Sequence, residues 1–429
     1  MPMPLFVKKC LTRLGFASWN AEARRWCNND TAFLKYVSDR TLSAPVDGVL
    51  ELAGHARAGE SNAMNLNLAA PRFDSPIGGW RFTADRLGTP DPWGLPELRQ
   101  HLRDGDGDVF VGHGASGCYA AILDAFVNPG DAVVLFDPGS PLFRVGAESR
   151  RARLRCVPLW NEEGRSRFLF DSLAKAMPGA RLLVLSEPHN PTGGTFTGED
   201  LERLAWLAQR HDVLVVLDES FVRFRYDVPQ AFLVDMPAAR GRLLRLGSMT
   251  PGYGLGSLRV GWVKGPANLL GAVALNASLN APYVPTACQQ AALRAIQAER
   301  DLFTPTLEQF RSKRQYTVDR LKAMQLDVSW PNGGFFCWVN VASTGLDGRA
   351  FAEVLRTEDG VLVGPGSMFG ATGKDAVRVS FAVEDGRLRE GLQRLARRVA
   401  VLRGDPIVES AKVRVSVPVE DRVPEFSRV

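Results

Sequence analysis

Leu182-Leu183-Val184-Leu185 runs into Ser186 and then His189-Asn190-Pro191-Thr192-Gly193, and Leu214-Val215-Val216-Leu217 runs into Asp218, which stands 28 positions after Asn190. Each run is short, wholly apolar and closed by polar residues, as expected of strands in a parallel sheet covered on both faces. The polar groups then lie at the strand ends. An ordinary Asn-Pro turn or a helix N-cap aspartate would also account for either motif taken alone.

Working outward, Asp108-Val109-Phe110-Val111, Ala132 to Phe136, Arg153 to Leu159 and Arg242 to Leu246 read as further strands, and Ser116 to Phe126 reads as a helix. This alternation predicts an α/β domain over residues 61–300, with a mostly parallel sheet between helices and ligands bound beyond the strands' carboxyl ends. A helix-rich connection at 285–327 leads to strands at 328–330, 334–339, 361–363 and 376–381, and to a helix from Asp385 to Leu402. A smaller α+β domain over 301–403 is predicted. Ser18 to Arg40, with Trp19, Trp26, Phe33, Leu34 and Tyr36 on one face, predicts a helical arm within residues 1–60. Residues 404–429, punctuated by Pro406, Pro418 and Pro424, read as an extended tail.

At 429 residues, with 45% apolar and 23% charged side chains, the chain has the composition of an ordinary globular protein with more than one core. Its net charge of +5 is carried mainly by scattered arginines, since only nine lysines occur. No basic stripe or nucleic-acid signature is present, so no nucleic-acid partner is expected. The six cysteines have neither metal-ligand spacing nor a disulfide framework, and the apolar run after Lys8 and Lys9 is broken at Thr12, Arg13 and Gly15. A cytoplasmic protein without metal or membrane span is expected.

Three more stretches carry chemistry. His113-Gly114-Ala115-Ser116-Gly117 lies between a strand and a helix, where free N–H groups and the helix dipole can hold an anion. Ser248-Met249-Thr250-Pro251 follows another strand and leads through Gly254-Leu255 to Leu258-Arg259-Val260-Gly261. Arg378 sits within Val377-Arg378-Val379-Ser380-Phe381.

Together with Gly94-Leu95-Pro96-Glu97-Leu98-Arg99 and the stretch from Met64-Asn65-Leu66 to Pro71 and Phe73, these motifs resemble the class I/II aminotransferases, aspartate aminotransferase-like members of the fold-type I pyridoxal phosphate (PLP) enzymes. The resemblance runs from about residue 64 to about 402. It implies that Ala115, Ser116, Ser248 and Arg259 cup the cofactor phosphate, and that Asn190 meets the ring oxygen. It further implies that Asp218 keeps the pyridine nitrogen protonated, that Arg378 and Asn190 hold the substrate carboxylate, and that the protein is a homodimer with sites at its interface.

Four positions depart from the family pattern. Pro251, eight residues before Arg259, stands where the family has its Schiff-base lysine; Phe221 replaces a tyrosine, Ser140 the aromatic stacked on the pyridine ring, and Thr89 the partner subunit's phosphate-binding tyrosine. A proline supplies neither an amine nor a base, and a general base is typically worth about 10²–10⁴ in rate. Lys264, five residues past Arg259, should point elsewhere, which leaves His189 and His113 as candidate proton carriers. The expected function is amino-acid chemistry with PLP, its pyridoxamine form or a preformed PLP–amino acid aldimine held non-covalently. A PLP-independent enzyme reusing the cleft for another anionic small molecule, and a non-catalytic partner subunit, are the alternatives.

Overall fold

The computed structural model describes residues 64–67, 91–105, 107–226 and 231–405. The predicted arm at 1–60, Thr89, Pro71, Phe73 and all but the first two residues of the predicted tail lie outside them. The strands are β1 (Met64–Asn65), β2 (Asp108–Gly112), β3 (Ala132–Asp137), β4 (Arg153–Glu162), β5 (Arg165–Phe168), β6 (Ala180–Ser186), β7 (Leu214–Asp218), β8 (Leu243–Ser248), β9 (Gly261–Gly265), β10 (Asp327–Ser329), β11 (Phe336–Asn340), β12 (Val361–Leu362), β13 (Gly364–Pro365) and β14 (Ala376–Ser380).

Eight strands form one sheet in the order β2-β9-β8-β7-β6-β3-β4-β5. Its centre, from β8 through β4, is parallel, whereas the contacts of β9 with β2 and β8, and of β5 with β4, are antiparallel. Burial of both faces explains why the central runs are continuously apolar instead of alternating. Val133, Leu135, Leu182, Val184 and Val216 point into a core with the helices Gly114–Phe126 and Ala267–Asn280. Their neighbours Val134, Phe136, Leu183, Leu185, Val215 and Leu217 point the opposite way, against the helices Phe170–Ala176 and Gly198–Arg210. Each fully buried side chain of this size contributes about 1.5–3 kcal/mol. Thr197 and Asp200 start the Gly198–Arg210 helix with a reciprocal capping box, which fixes where that helix leaves the loop after β6.

The second sheet, β10-β11-β14-β13, is antiparallel throughout. It packs on the helices Glu299–Ala323, Gly348–Asp359 and Asp385–Arg403 through Phe310, Leu321, Phe351, Leu355, Leu392 and Leu395. β1 pairs in parallel with β12, and Leu66 accepts the Ser380 N–H, so residues 64–67 lie with this second sheet. Phe221 and Phe224, from the loop after β7, enter the same core. That loop ties the carboxyl ends of the large sheet to the small one. No helix of the described residues is long and apolar enough to cross a membrane, and among them no cluster of metal-ligating side chains occurs.

Candidate active site

Because β6 pairs with both β3 and β7, and β7 with β8, all in parallel, their carboxyl ends lie along one edge. The last residues there are Asp137, Ser186, Asp218 and Ser248. Parallel pairing thus gathers four polar side chains from 112 positions of sequence, counted from 137 to 248. Asn190 follows Ser186 closely, and its N–H donates to the Ser186 hydroxyl at 3.0 Å. Asp218 is buried and accepts the Ser220 N–H at 2.9 Å, a local turn bond of the kind aspartate commonly makes. Burial pushes its carboxyl above the usual carboxylate range. Among the described residues no cation forms an ion pair with it.

Beside Asp218, Ser248 caps the short helix Met249–Tyr253, its hydroxyl accepting the Thr250 N–H at 3.0 Å. Arg259 adopts a left-handed φ of +53° and turns its guanidinium back over this cap. Nη2 donates to the Ser116 hydroxyl at 3.2 Å and Nη1 lies 3.5 Å from the Thr250 hydroxyl. A Cβ on Gly114 would come within 2.6 Å of Nη2, and one on Gly261 within 2.6 Å of the Ala115 nitrogen. Only glycines let the start of the Gly114–Phe126 helix approach so closely. Ala115, Ser116, Ser248, Thr250 and Arg259 therefore gather N–H, hydroxyl and guanidinium donors in one place.

Pro251 follows Thr250 directly, as the third residue of the Met249–Tyr253 helix, and is buried. First-turn N–H groups have no intrahelical acceptor, so the ring removes no helical hydrogen bond there.

Arg378 projects from β14 and is buried. Nη1 donates to the Asn190 side-chain oxygen at 2.9 Å, and Nη2 to the Asn67 side-chain and main-chain oxygens at 2.9 and 3.1 Å. The guanidinium lies between the rings of Phe336 and Phe369, 4.1 and 4.7 Å from their centroids. These partners are neutral, and Nε has none. Burial pulls the group down to about 9, which still leaves it cationic at neutral pH. A buried cation held only by amide oxygens and ring faces is poised for an anion.

The histidines are placed very differently. His189 is buried, with Nδ1 at 2.9 Å from the Thr192 hydroxyl and a further hydrogen bond to the Pro138 carbonyl. Burial drives its imidazole down to about 3, so the ring is neutral. This geometry makes it a support for the Asn190 turn. His113 is half-buried and occupies the N-cap position of the Gly114–Phe126 helix without a capping side-chain bond. Ser140 likewise precedes the helix Pro141–Ser149 without capping it. Phe221 packs edge-on against Phe335 and Phe336. Lys264 points to Asp104, at 2.7 Å, away from the strand-end edge.

Sequence reading missed Asn67, Phe336, Phe369 and Thr250, which complete the surroundings of the two arginines. Phe336 was visible only as a strand residue, and Phe369 as part of Gly366-Ser367-Met368-Phe369-Gly370, a small-residue turn without chemical signature.

The family model for aminotransferase class I and II matches residues 83–395. An arginine–pyruvate transaminase of Pseudomonas aeruginosa is 29% identical over 390 residues, covering 86% of this chain and 99% of the relative. An aspartate aminotransferase of Pyrococcus abyssi is 27% identical over 359 residues, covering 79% and 92%. Among solved structures, the aspartate aminotransferase of Thermus thermophilus with maleate superposes with a TM-score of 0.74 at 25% identity, covering 84% of this chain and 99% of that one. The chain belongs to the class I and II aminotransferase family and has its fold-type I architecture.

Proposed function

We propose that this protein binds PLP or its amine form without a covalent link and acts on an amino acid or a related small carboxylate. The observation that carries this reading is a pair of buried groups of opposite sign, Asp218 and Arg378, neither of which has a counter-charge among the described residues. Leaving either unpaired in a dry interior costs several kcal/mol, roughly, unless a ligand supplies the partner. The residues present fit the cofactor. Arg259, Ser116, Ser248 and the first N–H groups of the Gly114–Phe126 helix would hold a phosphate, and Asp218 would hold a proton on a ring nitrogen.

When bound, PLP supplies an electron-withdrawing ring that acidifies the α-carbon of an attached amino acid. Arg378, steadied by Asn190 and Asn67, would receive the α-carboxylate and orient that carbon. Phe336 and Phe369, which lie over the guanidinium, would exclude water there. Position 251 can neither bond to the cofactor nor move a proton, so the chain keeps the binding half of the family's apparatus and lacks the lysine's half. We further infer a homodimer, for which Leu275, Leu279 and Tyr283 provide an exposed apolar strip, and a division into a large unit at 61–300 and a small one at 301–403.

The test is titration of the purified protein with PLP, followed by absorbance and calorimetry. Saturable binding is expected, weakened roughly tenfold or more in Asp218→Ala, as loss of a charged hydrogen bond implies. Borohydride should fix no cofactor on the natural chain but should fix it on Pro251→Lys, seen as a mass increase. Absence of saturable binding at high protein concentration would overturn the proposal.

A further inference from the structure

Asp137 ends β3 and is buried, and its carboxylate is occupied by the far side of the molecule. Oδ1 accepts the Thr372 N–H at 3.1 Å and the Thr372 O–H at 2.6 Å, and Oδ2 accepts the Ala371 N–H at 3.1 Å and an Arg144 N–H at 3.3 Å. Gly370, at φ +142°, lies flat against it, so that a Cβ there would fall 2.2 Å from Oδ1. One residue earlier, the Phe369 carbonyl accepts the Gly139 N–H at 2.7 Å. Residues 137–139 thus grasp the turn that follows Phe369 from both sides. Phe369 is the ring that covers one face of Arg378, and its other neighbour is Trp338, edge-on at 5.6 Å.

We propose that Asp137 is a positioning residue for the carboxylate site, clasping the 370–372 turn so that Phe369 stays pressed on the Arg378 guanidinium. The inference rests on reading Arg378 as the carboxylate-binding group. The guanidinium plane is set by Phe336 below and Phe369 above, and the direction of its unpartnered N–H follows from that plane. Hydrogen bonds to an ionised acceptor are roughly twice as strong as neutral ones, and here they join a large-sheet strand to a small-sheet loop 234 positions away. Release of the turn frees Phe369, lets water reach Arg378 and weakens its hold on a carboxylate. Asp137 touches no reacting atom in this scheme.

The experiment measures the Kd of pyruvate by calorimetry on PLP-saturated protein, alongside the Kd of PLP itself. Asp137→Ala should weaken pyruvate binding roughly tenfold or more, and Thr372→Val roughly threefold, with PLP affinity unchanged within about twofold. Asp137→Asn should recover part of the loss, because its amide oxygen still accepts from Thr372. Arg378→Gln serves as the reference for losing the site. If Arg378→Gln abolishes pyruvate binding while Asp137→Ala binds normally, the clasp is refuted and the carboxylate reading stands. If Arg378→Gln binds as the natural chain does, or the natural chain does not bind pyruvate, the carboxylate reading falls and the clasp with it. Should Asp137→Ala fail to fold, Thr372→Val decides, and unchanged pyruvate affinity in that folded variant refutes the clasp.

Discussion

Arg225 and Arg378 are both buried, both lie over phenylalanine rings and both sit near the carboxyl ends of the large sheet, yet their partners differ. Arg225 meets the Glu187 carboxylate at 2.9 Å, inside a pair almost without exposure, and Glu187 accepts the Phe196 N–H as well. Burial pushes Glu187 up to about 7, with Arg225 opposing that rise. Among the described residues, Arg378 meets only amide oxygens, and Asp218, whose carbonyl accepts the Glu187 N–H, pairs with no cation. One ion pair is complete within the chain. The other two charges lack such a partner among the described residues. A buried charge that the fold itself neutralises contributes to the scaffold, and the proposed binding roles rest on the two that are not so paired.

The comparison breaks most visibly on stability. Arg225→Leu strands Glu187 without a partner and should cost about 3–5 kcal/mol, read from the urea midpoint at constant m-value. Arg378→Leu removes a charge that has no counter-ion among the described residues, from between the rings of Phe336 and Phe369, and should cost less than about 1 kcal/mol. Equal losses in the two variants would erase the distinction.

A smaller effect sharpens the role of His189. Its folded imidazole is depressed from the ordinary 6.5 to about 3, so below 6.5 the unfolded chain takes up a proton that the folded one refuses. Stability therefore falls as pH drops through that window and is retained above it, with a slope approaching about 1.4 kcal/mol per pH unit from this group. His189→Gln should flatten that slope by about 2 kcal/mol between pH 6.5 and 5, measured against the natural chain in the same buffers. An unchanged slope would mean that the imidazole titrates in the folded state, and would return it to the list of proton carriers. The smallest effect is expected of Thr250→Val, which removes only a 3.5 Å contact to the exposed Arg259 and should reduce PLP affinity by less than about threefold. A much larger loss would make Thr250 a direct phosphate ligand.

Much of this was legible in the chain. The runs at 132–136, 182–185 and 214–217 are strands because both faces are buried, and such strands announce themselves by unbroken apolarity. Asn190, Asp218 and Ser248 stood out because polar residues at or just after the ends of such runs are local signals, whereas Arg259 was picked out only by the family resemblance. The short β5 and the helices Pro141–Ser149 and Phe170–Ala176 were missed, being short and closely spaced, so that periodicity has little length in which to show. No local pattern distinguishes His189, locked between Thr192 and Pro138, from a free base, because its state depends on burial.

The sequence by itself determined the strand-and-helix alternation and the polar donors at the strand ends, since these depend on residue type and spacing. Only the tertiary structure decided which charges are neutralised, which aromatic rings enclose Arg378, and that Asp137 reaches across to residues 371 and 372. Burial and partnership are set by packing between separate segments, from a few to more than two hundred positions apart, and the strength of a charge depends on that surrounding dielectric, which no single stretch of chain encodes.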